Sequence, residues 1–360
     1  MSSWGGIFFI AGTSIGAGTL ALPMISCSVG FVKSFIVMIA MSLVMIATGF
    51  LNIRLIKQYN TSIPVLSKIA FGKFGSFVSM SAFLTLHYAL LAAYMTGAAE
   101  ILSFILPFRL GLVLYLGICG LFLTSKYFDH ANRFVFAIKV FVFAGIIALL
   151  FPKIKTEHLF FHNEHSQILP LIPVFFTSYA FHGSLFSLMR LTKGDLKKIK
   201  TSIIGGVIIT VLFYGLWQMC ALGVLRSPDN HSDVSDFLSA VCASAGGKTL
   251  LAITPIFSFL AITTSFFGVG VGLFDYMKEV TKRDKKILNA GLTFLPPLAF
   301  AFFYPDGFIK ALEFAAIALS ILVVFLPCMI ARFYTKKINI FYFIFFILFS
   351  LGIVLIKTIT

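Results

Sequence analysis

Two short stretches carry the residue types that could grip a small polar molecule. The first is Gly12-Thr13-Ser14-Ile15-Gly16-Ala17-Gly18-Thr19, followed by Leu20-Ala21-Leu22-Pro23. Three glycines in seven residues weaken a helix by about 1 kcal/mol each relative to alanine, so this run invites a break flanked by hydroxyls. The second holds Pro170, Pro173 and then Phe175-Phe176-Thr177-Ser178-Tyr179-Ala180-Phe181-His182-Gly183-Ser184. A broken helix exposes N–H groups at the start of one half and carbonyls at the end of the other, and aligned peptide dipoles reinforce both. The N–H end suits a carboxylate, and unwound carbonyls suit an ammonium group. Together they fit a zwitterion with both charges on one carbon, an α-amino acid. Alone, Gly12 and Gly16 would fit a small-residue packing face equally well; the second interruption favours binding.

The setting of these stretches is apolar. Of 360 residues, 59% are hydrophobic and 11% charged, with a mean hydropathy of +1.01. Soluble domains are about 25% charged, so soluble enzymes, nucleic-acid binders and disordered scaffolds are excluded. Long apolar runs, without the roughly ten-residue alternation of barrel strands, predict an all-α polytopic membrane protein. Eleven spans are expected, at 4–26, 33–55, 75–106, 110–125, 132–151, 168–190, 199–224, 248–279, 286–304, 307–333 and 338–356. The first begins at Trp4 with no Lys or Arg before it, and reads as retained rather than as a cleaved signal. The interrupted spans 1 and 6 stand five apart and so run antiparallel, as in transporters built from an inverted repeat with a site near the midplane. The expected division is 1–156 (spans 1–5), 157–333 (spans 6–10) and 334–360 (span 11).

Charge sets the expected orientation. Of the 28 Lys and Arg, 19 fall in the loops after spans 2, 4, 6, 8 and 10, and 8 on the opposite side. This bias places the N-terminus in the cytoplasm and the C-terminus in the periplasm. On the outer side, residues 228–247 read as a short capped amphipathic helix. His158, His162 and His165 share another outer loop, a spacing that could hold a metal; with no acidic or Cys set completing it, a solvated loop is expected. The cysteines Cys27, Cys119, Cys220, Cys242 and Cys328 are scattered without metal or disulfide spacing.

Several ordered motifs give the chain a recognisable look. GTSIGAGTLALP in span 1 resembles the first-span signature of the hydroxy/aromatic amino acid permease family, within it the bacterial tyrosine- or tryptophan-specific permeases. Pro173 to Gly183, Asp195-Leu196-Lys197-Lys198 and Tyr214-Gly215-Leu216-Trp217-Gln218 resemble its sixth- and seventh-span signature. The stretch Ser258 to Val269, ending in Leu273-Phe274-Asp275-Tyr276, resembles its eighth, and Phe294-Leu295-Pro296-Pro297 with Tyr304-Pro305-Asp306-Gly307-Phe308 completes the set. The resemblance implies a leucine-transporter-like fold of five plus five helices, a bacterial inner-membrane location, and proton-driven uptake of aromatic amino acids. It places Ser14, Gly16, Ala17 and Gly18 on the carboxylate, with Thr13 beside them. Phe176, Thr177 and Tyr179 would line the amino-group side and the side-chain pocket.

An aromatic substrate needs an apolar slot with a polar end. Phe176, Phe181, Tyr88 and Tyr94 could supply ring contacts, and His182 or Thr85 a hydrogen bond. Lys139 is the lone cation inside a span, about 10 Å deep at about 1.5 Å per residue. Such a residue marks a pathway or snorkels to the interface. In related transporters of the fold, a span 5 amine stands where sodium binds in sodium-coupled members. Ala261, Thr264 and Ser265, with the carbonyls of Gly12 and Ile15, match that sodium pattern, and their oxygens suit a hard cation or an ammonium group. Proton coupling is expected, with sodium as the alternative.

Glu100 and Glu313 lie toward the outer side, as part of a proton route or gate or as structural partners. Gly246-Gly247-Lys248-Thr249 resembles the tail of a phosphate loop, but Cys242 stands where the first glycine belongs. No H-E-x-x-H, G-x-S-x-G or paired-carboxylate motif supports an enzyme, and no cofactor is called for. The expected partners are an aromatic amino acid, a proton and the lipid bilayer; tyrosine is favoured, then tryptophan. Serine or threonine uptake is the runner-up, an ion channel is the different class to keep, and the oligomeric state stays open.

Overall fold

The computed structural model describes residues 2–123, 128–160, 167–225, 231, 233–246, 248–282, 285–335 and 338–359. Every regular element among them is helical. The chain begins with α1 (Ser3–Ser14) and α2 (Gly18–Ser26), bent by 58° at the glycine run. Then come α3 (Phe31–Tyr59), α4 (Ile63–Leu102), α5 (Phe108–Leu123), α6 (Phe128–Leu150) and the single turn α7 (Thr156–Leu159). The second interrupted span is α8 (Leu171–Ser178), a 3₁₀ turn His182–Ser184, and α9 (Leu185–Leu191). There follow α10 (Leu196–Val224), the outer helix α11 (Val234–Ser244), α12 (Lys248–Thr281) and α13 (Lys286–Phe303). The next span starts as α14 (Phe308–Ser320) and continues through α15 (Leu326–Met329), with π-helical segments at Ile321–Phe325 and Ile330–Tyr334. The last is α16 (Ile340–Ile359).

Eight of the described helical segments are long and apolar enough to cross a membrane, and the bent α1–α2 pair makes a ninth. Helices α5 and α6 stand where spans 4 and 5 were expected but are not counted by that criterion, so eleven remains an expectation. The third span also differs from its expected limits. It is the later part of α4, which bends at Gly72, where φ is +61°, a left-handed value that favours glycine.

Helix ends follow local chemistry. Asp195 caps α10, its carboxylate accepting from the N–H groups of Lys197 and Lys198 at 3.0 and 3.1 Å. These bonds, that from Lys198 first, hold its carboxyl below the usual range. Asp233 caps α11 by accepting from the Asp236 N–H at 2.7 Å. As the spacing predicted, α11 buries Val234, Phe237, Leu238, Val241 and Cys242 on one face. His158 of the histidine loop bonds the Gly223 carbonyl through Nδ1 at 3.1 Å, while His162 and His165 lie outside the described residues.

Packing brings the interrupted spans to the centre. Helix α1 lies along α10, α2 along α8, and α4 runs between α14 and α12. Glycine permits close approach of α1 and α10: a Cβ on Gly206 would fall 2.5 Å from Cβ of Ile10, and one on Gly6 would collide with Ser202 Oγ. The last helix, α16, is the least buried span and lies at the periphery.

Candidate functional site

Both helix breaks open on one cavity of about 610 Å³. Residues 12–18 and Thr177, Ser178 and Ala180 to Ser184 form one side; the rest comes from α4, α6, α12 and the α14 span. Tyr214 of α10 joins the breaks. Its hydroxyl reaches the carbonyls of Ser14 at 2.8 Å and Ser178 at 3.2 Å, and accepts from the Gly16 N–H at 3.2 Å. The approach is tight: a Cβ on Gly18 would lie 2.6 Å from the Ser178 side chain and 2.8 Å from the Tyr214 hydroxyl.

The break leaves main-chain groups in the arrangement expected of an anion site. Among the described residues, the Ala17 and Gly18 N–H groups at the start of α2 make no hydrogen bond. In an apolar surrounding, such donors are tolerable only where they face a cavity or ligand. Thr19 turns away, its hydroxyl donating to the Gly16 carbonyl at 2.7 Å, and Ser14 donates to Ile10 at 3.1 Å. The carbonyl ends of α1 and α8 meet at the Tyr214 hydroxyl, through Ser14 and Ser178, and carbonyl ends of this kind are complementary to an ammonium group.

Beside this lies Lys139 with the oxygens of α12. Lys139 is 3% exposed and lines the cavity, its Nζ donating to Thr264 Oγ1 at 3.2 Å. The amine thus points into the protein rather than snorkelling to an interface. Thr264 and Ser265 both donate to the Ala261 carbonyl at 3.1 Å. A Cβ on Gly16 would come within 2.5 Å of Ser265 Oγ, so the first break and α12 meet here.

Of the residues singled out in the sequence, Gly12, Thr13, Ser14, Ile15, Gly16, Ala17, Gly18, Tyr94, Lys139, Thr177, Phe181, His182, Thr264 and Ser265 line the cavity. Four do not. Phe176 is fully buried against Phe349, because it sits about 100° around α8 from Thr177 and faces α16. Tyr179 packs edge-on against Tyr214. Tyr88 turns to α13, donating to the Leu292 carbonyl at 2.8 Å. Ala261 lies one turn from the cavity and contributes only its carbonyl, to Thr264 and Ser265. Glu100 and Glu313 have structural partners: Glu100 accepts from the Val234 N–H at 2.7 Å, and Glu313 pairs with Lys357.

Residues not singled out as site residues complete the wall: His87, Leu86, Leu90, Ser178, Gly268 and Val269 line it. Tyr214, quoted above only within a motif, binds both breaks.

The tryptophan/tyrosine permease family profile matches residues 1–358, nearly the whole chain. The chain belongs to the tryptophan/tyrosine permease family. It is 32% identical over 343 residues to the tyrosine-specific transport system 1 of Haemophilus influenzae, covering 90% of this chain and 86% of that protein. A tryptophan-specific transport protein of Pseudomonas aeruginosa is 27% identical over 363 residues, covering 92% of this chain and 86% of that one. Among solved structures, a nucleobase-cation-symport-1 family transporter in a closed conformation superposes with a TM-score of 0.64 at 13% identity, covering 95% of this chain and 80% of that one. The permease is therefore a multi-pass membrane transporter of leucine-transporter-like fold, and not an enzyme.

Proposed function

We propose that this permease imports an aromatic amino acid, tyrosine first and tryptophan next, by proton symport with alternating access. The observation that carries the reading is the convergence of the two breaks on one cavity lined by Ala17 and Gly18, whose N–H groups make no hydrogen bond among the described residues. The amino acid's carboxylate docks on the start of α2, and its ammonium group on the carbonyl ends of α1 and α8. A cavity of about 610 Å³ accommodates a ring beyond the zwitterion, which favours an aromatic substrate over serine or threonine. Relatives that transport tyrosine and tryptophan point the same way.

Coupling is assigned to Lys139. Its amine donates to Thr264, which with Ser265 and the Ala261 carbonyl forms a group of oxygens that would otherwise suit sodium. Losing a proton removes the charge that strengthens the amine's bond to Thr264 and so weakens the bridge between α6 and α12, which ties proton release to movement around the site. The protein sits in the bacterial inner membrane with its N-terminus cytoplasmic and C-terminus periplasmic, and residues 1–156 and 157–333 act as the two inverted halves. The test is uptake of labelled tyrosine, tryptophan and serine into proteoliposomes under an imposed pH or sodium gradient. Accumulation of tyrosine on the pH gradient alone is expected. Accumulation on the sodium gradient alone would overturn proton coupling, and serine accumulation without tyrosine would overturn the substrate.

A further inference from the structure

His87 lies on the wall of α4 that faces the breaks, and its ring chemistry is fixed by its surroundings. Its hydrogen bond runs from Nδ1 to the Phe83 carbonyl at 2.8 Å. A carbonyl only accepts, so in the neutral imidazole Nδ1 carries the proton and Nε2 carries a lone pair. Phe83 also packs against the ring, tilted by 30° at 3.8 Å between centroids, and Tyr276 packs on Phe83 at 4.6 Å. The imidazole is held in place with its acceptor uncommitted among the described residues.

The space beside that acceptor suits a ring. A Cβ on Gly272 would sit 4.0 Å from Nε2, and one on Gly268 would meet nothing within 4 Å, so α12 presents bare backbone here. His87, Leu90 and Tyr94 share one helical face along the cavity, two turns from end to end. An apolar stripe ending in one acceptor is the arrangement that reads a planar side chain with a donor at its far end.

The other cavity histidine is committed elsewhere. Thr48 Oγ1 lies 2.9 and 3.1 Å from the Val44 and Met45 carbonyls, to which its proton goes. It therefore accepts from His182 Nε2 at 3.0 Å, and the remaining acceptor, His182 Nδ1, is enclosed by protein. Of the two imidazoles, His87 is the one whose acceptor substrate can reach.

We propose that His87 Nε2 is a specificity-determining acceptor that selects a hydrogen-bond donor at the end of the substrate side chain. It takes the phenol O–H of tyrosine or the indole N–H of tryptophan and discriminates against phenylalanine. This rests on the aromatic amino acid reading above. A site built to hydrogen-bond a substrate group rejects the analogue lacking it, because its own polar atom is left unpaired.

The test uses the intact permease in proteoliposomes, with labelled tyrosine uptake as the readout and unlabelled analogues as competitors. 4-Aminophenylalanine keeps a donor at the ring end; 4-fluorophenylalanine is nearly the same size and has none. The amino analogue should compete like tyrosine, while the fluoro analogue and phenylalanine should compete at least about tenfold less well. Equal competition by the fluoro analogue would overturn the proposal and leave the aromatic substrate assignment intact. Absence of both tyrosine and tryptophan uptake would overturn that assignment and this proposal with it. In a second arm, His87→Leu should lower the tyrosine-to-phenylalanine uptake ratio at least about tenfold, and His87→Gln, which places an acceptor oxygen near the Nε2 position, should recover part of it. An unchanged ratio in His87→Leu would overturn the role of His87. Should His87→Leu fail to fold, the competitor series on the unmodified protein decides alone.

Discussion

Tyr214 and Lys139 illustrate how one side-chain atom can govern a site built mainly from backbone. The Tyr214 hydroxyl serves the Gly16 N–H and two carbonyls, one in each break. Tyr214→Phe leaves those buried groups without a partner, at about 1–3 kcal/mol, so the KM for tyrosine should rise about tenfold or more in uptake assays. Lys139→Met removes the amine on Thr264 while keeping the volume. It should abolish accumulation against a gradient and preserve counterflow exchange, measured on the same vesicles; full accumulation would sink the coupling assignment. Lys139 was legible because a lone cation in an apolar span stands out against its neighbours. His87 was hidden by a wrong choice of face. Tyr88 and Tyr94 are six residues apart, about 120° from a common face, so both cannot line one cavity. Once Tyr94 does, the period selects Leu90 and His87 and turns Tyr88 toward α13.

Helix interruptions work here through what each leaves unpaired and what compensates. In the α14–α15 span, Pro327 has no N–H to give the Val323 carbonyl four residues earlier, and π-helical segments flank it. Asn52 of α3 compensates, donating Nδ2 to the Val323 carbonyl at 2.8 Å and to the Thr48 carbonyl at 2.8 Å. Asn52→Leu therefore strands a carbonyl in a water-free interior and should lower stability by about 1–3 kcal/mol, read as a drop in the melting temperature of the detergent-solubilised protein. Pro327→Ala in that background should recover part of the loss by restoring the helical donor. At the first break the constraint is steric. Gly18→Ala drives a Cβ onto Ser178 and the Tyr214 hydroxyl, separating α2 from α8, and should reduce tyrosine uptake at least tenfold at normal expression. The two breaks could be read from glycine and proline content alone. The Asn52 bridge could not, since it spans 271 positions and depends on register between helices.

Composition announced the membrane class, because a chain with so few charges cannot present a water-facing surface over most of its area. The exposed side chains agree: Phe141, Ile287 and Phe341 are 82%, 90% and 79% exposed on the outer faces of their helices, as lipid contacts require. Span count was less legible. Length and hydropathy become ambiguous where a helix is short, as in α5, or where an amphipathic segment merges with a span, as in α4 before Gly72. Orientation follows from a different quantity, the unequal distribution of Lys and Arg between the two sets of loops, and can be tested separately. In a cysteine-substituted variant carrying a single Lys193→Cys in the loop after α9, a membrane-impermeant maleimide should label only after the cells are permeabilised. A single Asp306→Cys between α13 and α14 should be labelled in intact cells. The reverse pattern would invert the topology and place the N-terminus outside; it would leave the geometry of the breaks unchanged but reverse the side of the membrane from which the proposed coupling proton reaches Lys139.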